Sequence, residues 1–278
     1  MFRLLNIEFY KLKHSRASKV LIITYFLLLT STAFIAAIKF DIGPVKFHLA
    51  EMGIFNFPYI WHLNTWLSGT IKFFLLLVIV SMMANEYSNK TLKQNLIDGL
   101  SKKEFILSKF YTIVVFALIS TIFVFVVSLI LGLIYSDFNE PSIIFSDLEY
   151  ILAFFVKLVG FFSFGLFMGI LIKRSAFAVA GILVWLFIEN ITRGLLYWKI
   201  SEDSDVVNKF MQFLPLESMT NLIKEPFTKL SAVRSLANQV GEDLSKDFSV
   251  HSLDIIIVLT WTFIFTYLSY RLLKRRDL

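Results

Sequence analysis

Phe110-Tyr111-Thr112-Ile113-Val114-Val115-Phe116-Ala117-Leu118-Ile119-Ser120-Thr121-Ile122-Phe123-Val124-Phe125-Val126-Val127-Ser128-Leu129-Ile130-Leu131-Gly132-Leu133-Ile134-Tyr135 is a run of 26 residues without a charge. As a helix rising about 1.5 Å per residue it reaches roughly 39 Å, more than the roughly 30 Å hydrocarbon core of a bilayer. A helix apolar on every face has no side for water, so its surroundings are lipid or the inside of a bundle. Five further runs lie on either side of it. Residues 20–38 are 19 uncharged residues, 66–84 carry only Lys72, and 151–172 carry only Lys157. Residues 175–198 contain Glu189 and Arg193, and 255–273 are uncharged up to Arg271.

The composition agrees, with 57% hydrophobic and 17% charged residues and a mean hydropathy of +0.71. A soluble domain carries more charge. The expected fold is all-α, a polytopic membrane protein with six transmembrane helices in one bundle. Its parts are an N-terminal interfacial helix at 1–19, spans one to five at 20–198 with a loop at 85–109, an extracytoplasmic subdomain at 199–254, and a sixth span with a basic tail at 255–278. Only Lys173 and Arg174 separate the fourth and fifth runs, which makes them an antiparallel hairpin. The first run is expected to be retained, because 32–37 form a poor signal cleavage site. Lys72, near the start of its run, can snorkel to the headgroups.

Six spans place both termini on one side, and the basic residues choose the side. The segments on that side hold 16 Lys and Arg, whereas 136–150 hold none and carry Asp137, Glu140, Asp147 and Glu149. By the positive-inside rule, N and C termini are cytoplasmic in a multi-pass protein of the cell membrane. The connection 199–254, with six basic residues, is too long to vote. The net charge of +6 sits beside apolar runs, where it fits an anionic membrane face better than nucleic acid.

Chemistry is sparsely encoded. With no cysteine, disulfides and thiolate metal sites are excluded. His14, His48, His62 and His251 have no metal-ligand spacing. Gly160 and Gly165 have the interval of a phosphate-binding loop, but Leu166 stands where lysine is required. Gly165 with Gly169, and Ala176 with Ala180, are small pairs suited to close helix packing. Lys157 lies roughly 9 Å in from the outer end of its run, and Glu189 roughly 14 Å in from the other side of the hairpin. An unpaired charge at such depth costs on the order of 3 kcal/mol, so a buried Lys157–Glu189 pair is expected, with Arg193 competing for the carboxylate. Lining a pathway for a polar substrate is the alternative role for these three.

The most informative stretch is 85–105. Leu92, Leu96 and Ile97 recur at helical spacing, Gly99 is placed to end that helix in a left-handed cap, and Ser101 with Glu104 forms a capping box that starts the next. A short helix and a sharp restart beneath a membrane can be pushed by a cytoplasmic partner; the plainer alternative is a solvated turn between spans. Residues 2–19 alternate Leu4, Leu5, Ile7, Phe9 and Leu12 with basic residues, as an interfacial helix or a basic flank would.

Glu86-Tyr87, Thr91-Leu92-Lys93 and Ser101-Lys102-Lys103-Glu104-Phe105-Ile106-Leu107-Ser108-Lys109 resemble the cytoplasmic loop signature of permeases of the type-2 exporter class of ABC transporters. Its usual form is Glu and an aromatic, then Gly-Thr-Leu and a basic residue, then Ser-Arg, an apolar stretch and Lys. Here Lys90 stands where Gly is commoner, and Lys102 where Arg is. The basic N-terminal segment, the six runs, the long connection and the basic ending extend the resemblance over nearly the whole chain. It implies a permease that pairs with a second, identical or related permease subunit and is driven by a separate cytoplasmic ABC ATPase subunit. In that arrangement the partner binds ATP and this chain holds no cofactor, metal or catalytic residue. It also implies that Glu86, Thr91, Leu96 and Glu104 belong to the ATPase-coupling surface. The rival readings are a stand-alone secondary carrier or channel, which would show broken helices or an internal repeat, and an intramembrane enzyme, for which only Glu189 is a candidate.

Overall fold

The computed structural model describes residues 2–32, 39–42, 45–48, 53–200, 204–229 and 247–276. The chain is helical apart from a two-stranded antiparallel hairpin, β1 (Lys39–Ile42) and β2 (Val45–His48), the one sheet among the described residues. Helices α1 (Phe2–His14) and α2 (Arg16–Ser31) are split at Ser15, whose hydroxyl caps α2 by accepting from Ser18 N–H. The expected interfacial helix over 1–19 is therefore two helices. Of the run 20–38, the part through Ser31 is helical, and 33–38 lie outside the described residues.

The second run begins earlier than its hydropathy suggests. Helices α3 (Tyr59–Ile71) and α4 (Phe73–Ser88) flank a 41° bend at Lys72. Lys72 does not snorkel from a helix end: its Nζ lies 4.5 Å from the centre of the Phe161 ring inside the bundle. The bend is also a broken helix of the kind that apolarity alone conceals. After α5 (Thr91–Ile97) comes α6 (Lys102–Tyr135), 34 residues long. Its hydroxyls at Ser108, Thr112, Ser120 and Thr121 bond back to carbonyls three or four residues earlier, which lets them lie in an apolar helix. A turn at α7 (Pro141–Ile144) leads to α8 (Glu149–Ile172) and α9 (Ser175–Lys199), followed by α10 (Ser204–Met211), α11 (Pro215–Asn221) and α12 (Ser252–Arg275).

Helices α6, α8, α9 and α12 are long and apolar enough to cross a membrane, and α3 with α4 makes a fifth if the bent pair counts as one span. This is the architecture of a multi-pass membrane protein. Helix α8 is its axis, 78% buried over its apolar window against 17% for α9 and 22% for α12, whose large apolar side chains point outward. Bare backbone lets α8 sit close to its neighbours: a Cβ on Gly165 would fall 2.3 Å from Leu76 Cδ1, and one on Gly169 3.1 Å from Met83 Cβ. The other small pair packs nothing. Ala176 and Ala180 are exposed, and Ala178, on the opposite side of the helix, is the buried alanine.

Candidate functional site: a buried charge network at the α5 elbow

Sequence chemistry alone builds the elbow between α4 and α6. Helix α5 ends in a Schellman motif, with Gly99 N–H bonded to Leu96 O at 3.2 Å and Leu100 N–H to Asn95 O at 3.0 Å. Gly99 supplies the left-handed backbone at φ +93°. Ser101 and Glu104 form the capping box that opens α6. The start of α5 also needs a left-handed residue, and it is Lys90, at φ +56°. That geometry gives a physical reason for glycine at this position in the resembled pattern.

Beneath the elbow four charged side chains converge from three helices. Glu86, at the end of α4, is 2% exposed; its carboxylate accepts from Lys109 Nζ at 2.5 Å, Lys11 Nζ at 2.7 Å and Thr91 Oγ1 at 2.6 Å. Asn95 Nδ2 adds a longer bond at 3.4 Å. Lys109, fully buried on α6, also binds Glu8 of α1 at 2.6 Å, and Ser108 Oγ, whose proton goes to Phe105 O, lies 3.2 Å from the same carboxylate. Two carboxylates and two ammonium groups balance, so the cluster is buried without net charge. Breaking such a network at one member costs about 3–5 kcal/mol, because a partner is stranded. Outside it, Arg3 pairs with Glu104 at 3.7 Å, and Arg276 at the end of α12 bonds Tyr87 Oη at 3.2 Å and Leu171 O at 3.0 Å. Both ends of the described chain are tied to the elbow.

A cavity of about 410 Å³ opens beside the network, lined by Lys11, His14, Ser18, Asn85, Glu86 and Thr91 among others. Among the described residues no three His, Asp or Glu side chains gather to hold a metal ion.

Of the residues expected at a coupling surface, Glu86 and Thr91 are brought together but lie inside, where they hold α5 in place. Leu96 is half-buried against the core, and Glu104 caps α6. The outer face of α5 is instead formed by Lys93, Gln94 and Ile97, the last 69% exposed. Lys109 enters from sequence only as the closing lysine of the resembled loop pattern, and Glu8 and Lys11 only as charges of the N-terminal segment; nothing in the sequence joins the three to Glu86, because they lie in segments distant along the chain.

The expected Lys157–Glu189 pair is not formed. Glu189 is 5% exposed and receives Trp185 Nε1 at 2.8 Å and the N–H groups of Leu216 at 3.0 Å and Glu217 at 2.8 Å. It is held by the first turn of α11, where unpaired backbone donors favour an anion. Arg193 pairs with Glu217 rather than with Glu189. The hairpin argument placed the side chains at comparable depth, and α11, invisible in hydropathy, took the carboxylate. At this same end Tyr59 Oη donates to Pro226 O at 3.0 Å and Trp261 Nε1 to Phe213 O at 2.9 Å, seating the 204–229 segment on the bundle.

None of the curated proteins matches the sequence. A family model described as a protein of unknown function, DUF2705, matches residues 21–278. That range takes in Glu86, Thr91, Asn95 and Lys109 of the network and all of the bundle from α3 onward, so the chain belongs to the DUF2705 family.

Proposed function

We propose that this chain is the membrane-spanning permease subunit of an ATP-driven exporter of the ABC type, energised by a separate ATPase that docks on α5. The observation that carries the proposal is the Glu8–Lys109–Glu86–Lys11 network, which makes α1, α4, α5 and α6 one stiff body at the end of the bundle. A push on the exposed face of α5 is then delivered to α4 and α6 instead of being lost in a loose turn. In this reading the bundle has six spans, with 20–38 as the first, α1 lies in the cytoplasmic interface, both termini are cytoplasmic, and a second permease subunit completes the pathway. The 199–254 connection closes its outer mouth.

The test uses the chain co-expressed with the ATPase expected in the adjacent reading frame. Replacing Ile97 by Asp together with Lys93 by Glu should abolish transport and substrate-stimulated ATP hydrolysis while leaving the thermal midpoint unchanged, since both side chains are exposed. Persistence of both activities would sink the docking site. Topology is tested separately, with single cysteines at Asn139 and Gln94, both exposed. Only the first should react with an impermeant thiol reagent outside intact cells, and the reverse pattern would invert the map.

The 41° bend at Lys72 favours one second reading, a stand-alone carrier, since broken spans are common at the binding sites of such proteins. Transport by the purified chain without any ATPase would establish it.

A further inference from the structure

Among the described residues, two ammonium groups of the bundle, the buried Lys157 and the half-buried Lys72, have no counter-charge. Lys157 on α8 is 4% exposed, yet no hydrogen bond or ion pair joins its Nζ to any described residue. It rests against the bare backbone of Gly69, where a Cβ would lie 3.6 Å from Nζ. Lys72 occupies the break between α3 and α4 with its Nζ over Phe161, one turn of α8 beyond Lys157. Gly69, which Lys157 touches, stands one turn before Lys72 on α3, so both side chains meet the same stretch of the contact between α3 and α8. Phe161 gives Lys72 a cation–π contact but no neutralisation.

Four other buried charges have partners: Glu8, Glu86 and Lys109 share ion pairs, and Glu189 has three N–H donors. An unpaired ammonium at membrane depth is costly, and a second beside it adds repulsion. With those charges partnered, the fold retains this pair at the bend in a span, a place where membrane bundles open sites for polar groups. The pair lies about 12 Å along α8 from its start, among apolar walls that include Phe73 edge-on to Phe161.

We propose that Lys72 and Lys157 form a binding site for a phosphate or carboxylate group carried into the bundle. This deepens the translocation reading, on which it rests, by assigning the substrate an acidic group.

The test uses the full chain alone in phosphatidylcholine nanodiscs, with thermal unfolding as the readout. Two probes are compared, phosphatidic acid in the bilayer and inorganic phosphate in the buffer. The wild type should gain several degrees with one of them, and the Lys72→Met/Lys157→Met double variant should gain nothing. A gain with phosphatidic acid alone assigns the site to an amphiphile's headgroup, and a gain with inorganic phosphate assigns it to a free anion. Equal gains in wild type and variant, or none in either, overturn the proposal. Should the double variant fail to insert, Lys72→Met is read the same way, since that side chain is only half-buried. Because no ATPase is present, failure here would leave the docking of an ATPase on α5 untouched.

Discussion

The two ends of the bundle bury carboxylates by different means. At the α5 end, Glu8 and Glu86 are neutralised by Lys11 and Lys109, which come from segments up to 101 residues apart. At the α11 end, Glu189 has no cation and is held by one indole and two backbone N–H groups. The first arrangement couples whole helices, because removing one charge leaves another stranded. The second is a clasp on one short helix, and its loss is felt locally. Under the proposed function, the first kind of end would transmit force and the second would close a mouth.

The largest expected effect is at the first end. Lys109→Met leaves Glu8 with only a 4.0 Å approach to Lys11 Nζ and removes one of the two ammonium groups on Glu86, so it should destabilise the protein by about 3–5 kcal/mol, read from the unfolding midpoint in detergent. Adding Glu8→Gln and Glu86→Gln should recover most of that loss, since no buried charge is then left unpaired except the half-exposed Lys11. An unrestored triple variant would show that shape, not charge balance, holds the elbow.

A smaller effect is expected at the second end. Glu189→Gln should cost about 1–2 kcal/mol, through a weakened hold on α11. Because Lys157 does not touch Glu189, combining this change with Lys157→Met should give additive effects, and a rescue by the second change would restore the ion pair that the hairpin argument expected. The smallest effect is Lys90→Gly, which removes a side chain from a left-handed position and should stabilise the fold by up to about 1 kcal/mol. A loss of stability there would mean that the Lys90 side chain contributes more than its backbone costs.

The sequence made legible what depends on local pattern. Long apolar runs located α6, α8, α9 and α12, and the Gly99 cap and the Ser101–Glu104 box marked the elbow to the residue. What it hid depends on distance. The bend at Lys72 interrupts no apolar pattern, so 66–84 read as one straight run starting too late. Helix α11 is short and polar, so nothing announced that its first turn would claim Glu189. The partners of Glu86 lie 75 and 23 residues away, and each of those segments carries several lysines with no hint of which one meets the carboxylate. Glu86 and Thr91, expected with Leu96 and Glu104 at a coupling surface, meet each other as supports of α5, Glu86 buried and Thr91 half-buried, while the exposed face beside them falls on Lys93, Gln94 and Ile97.

The difference between the two ends can be tested at a single bond. The chain contains no cysteine, so one introduced at Ile97 or at Phe213 is unique, and both positions are more than half exposed. In membranes that also carry the partner ATPase, a thiol-to-amine cross-linker should join the Ile97→Cys chain to the ATPase and leave the Phe213→Cys chain free. A cross-link from Phe213→Cys, or none from Ile97→Cys while the two proteins still co-purify, would contradict the assignment of α5 as the surface that an ATPase drives.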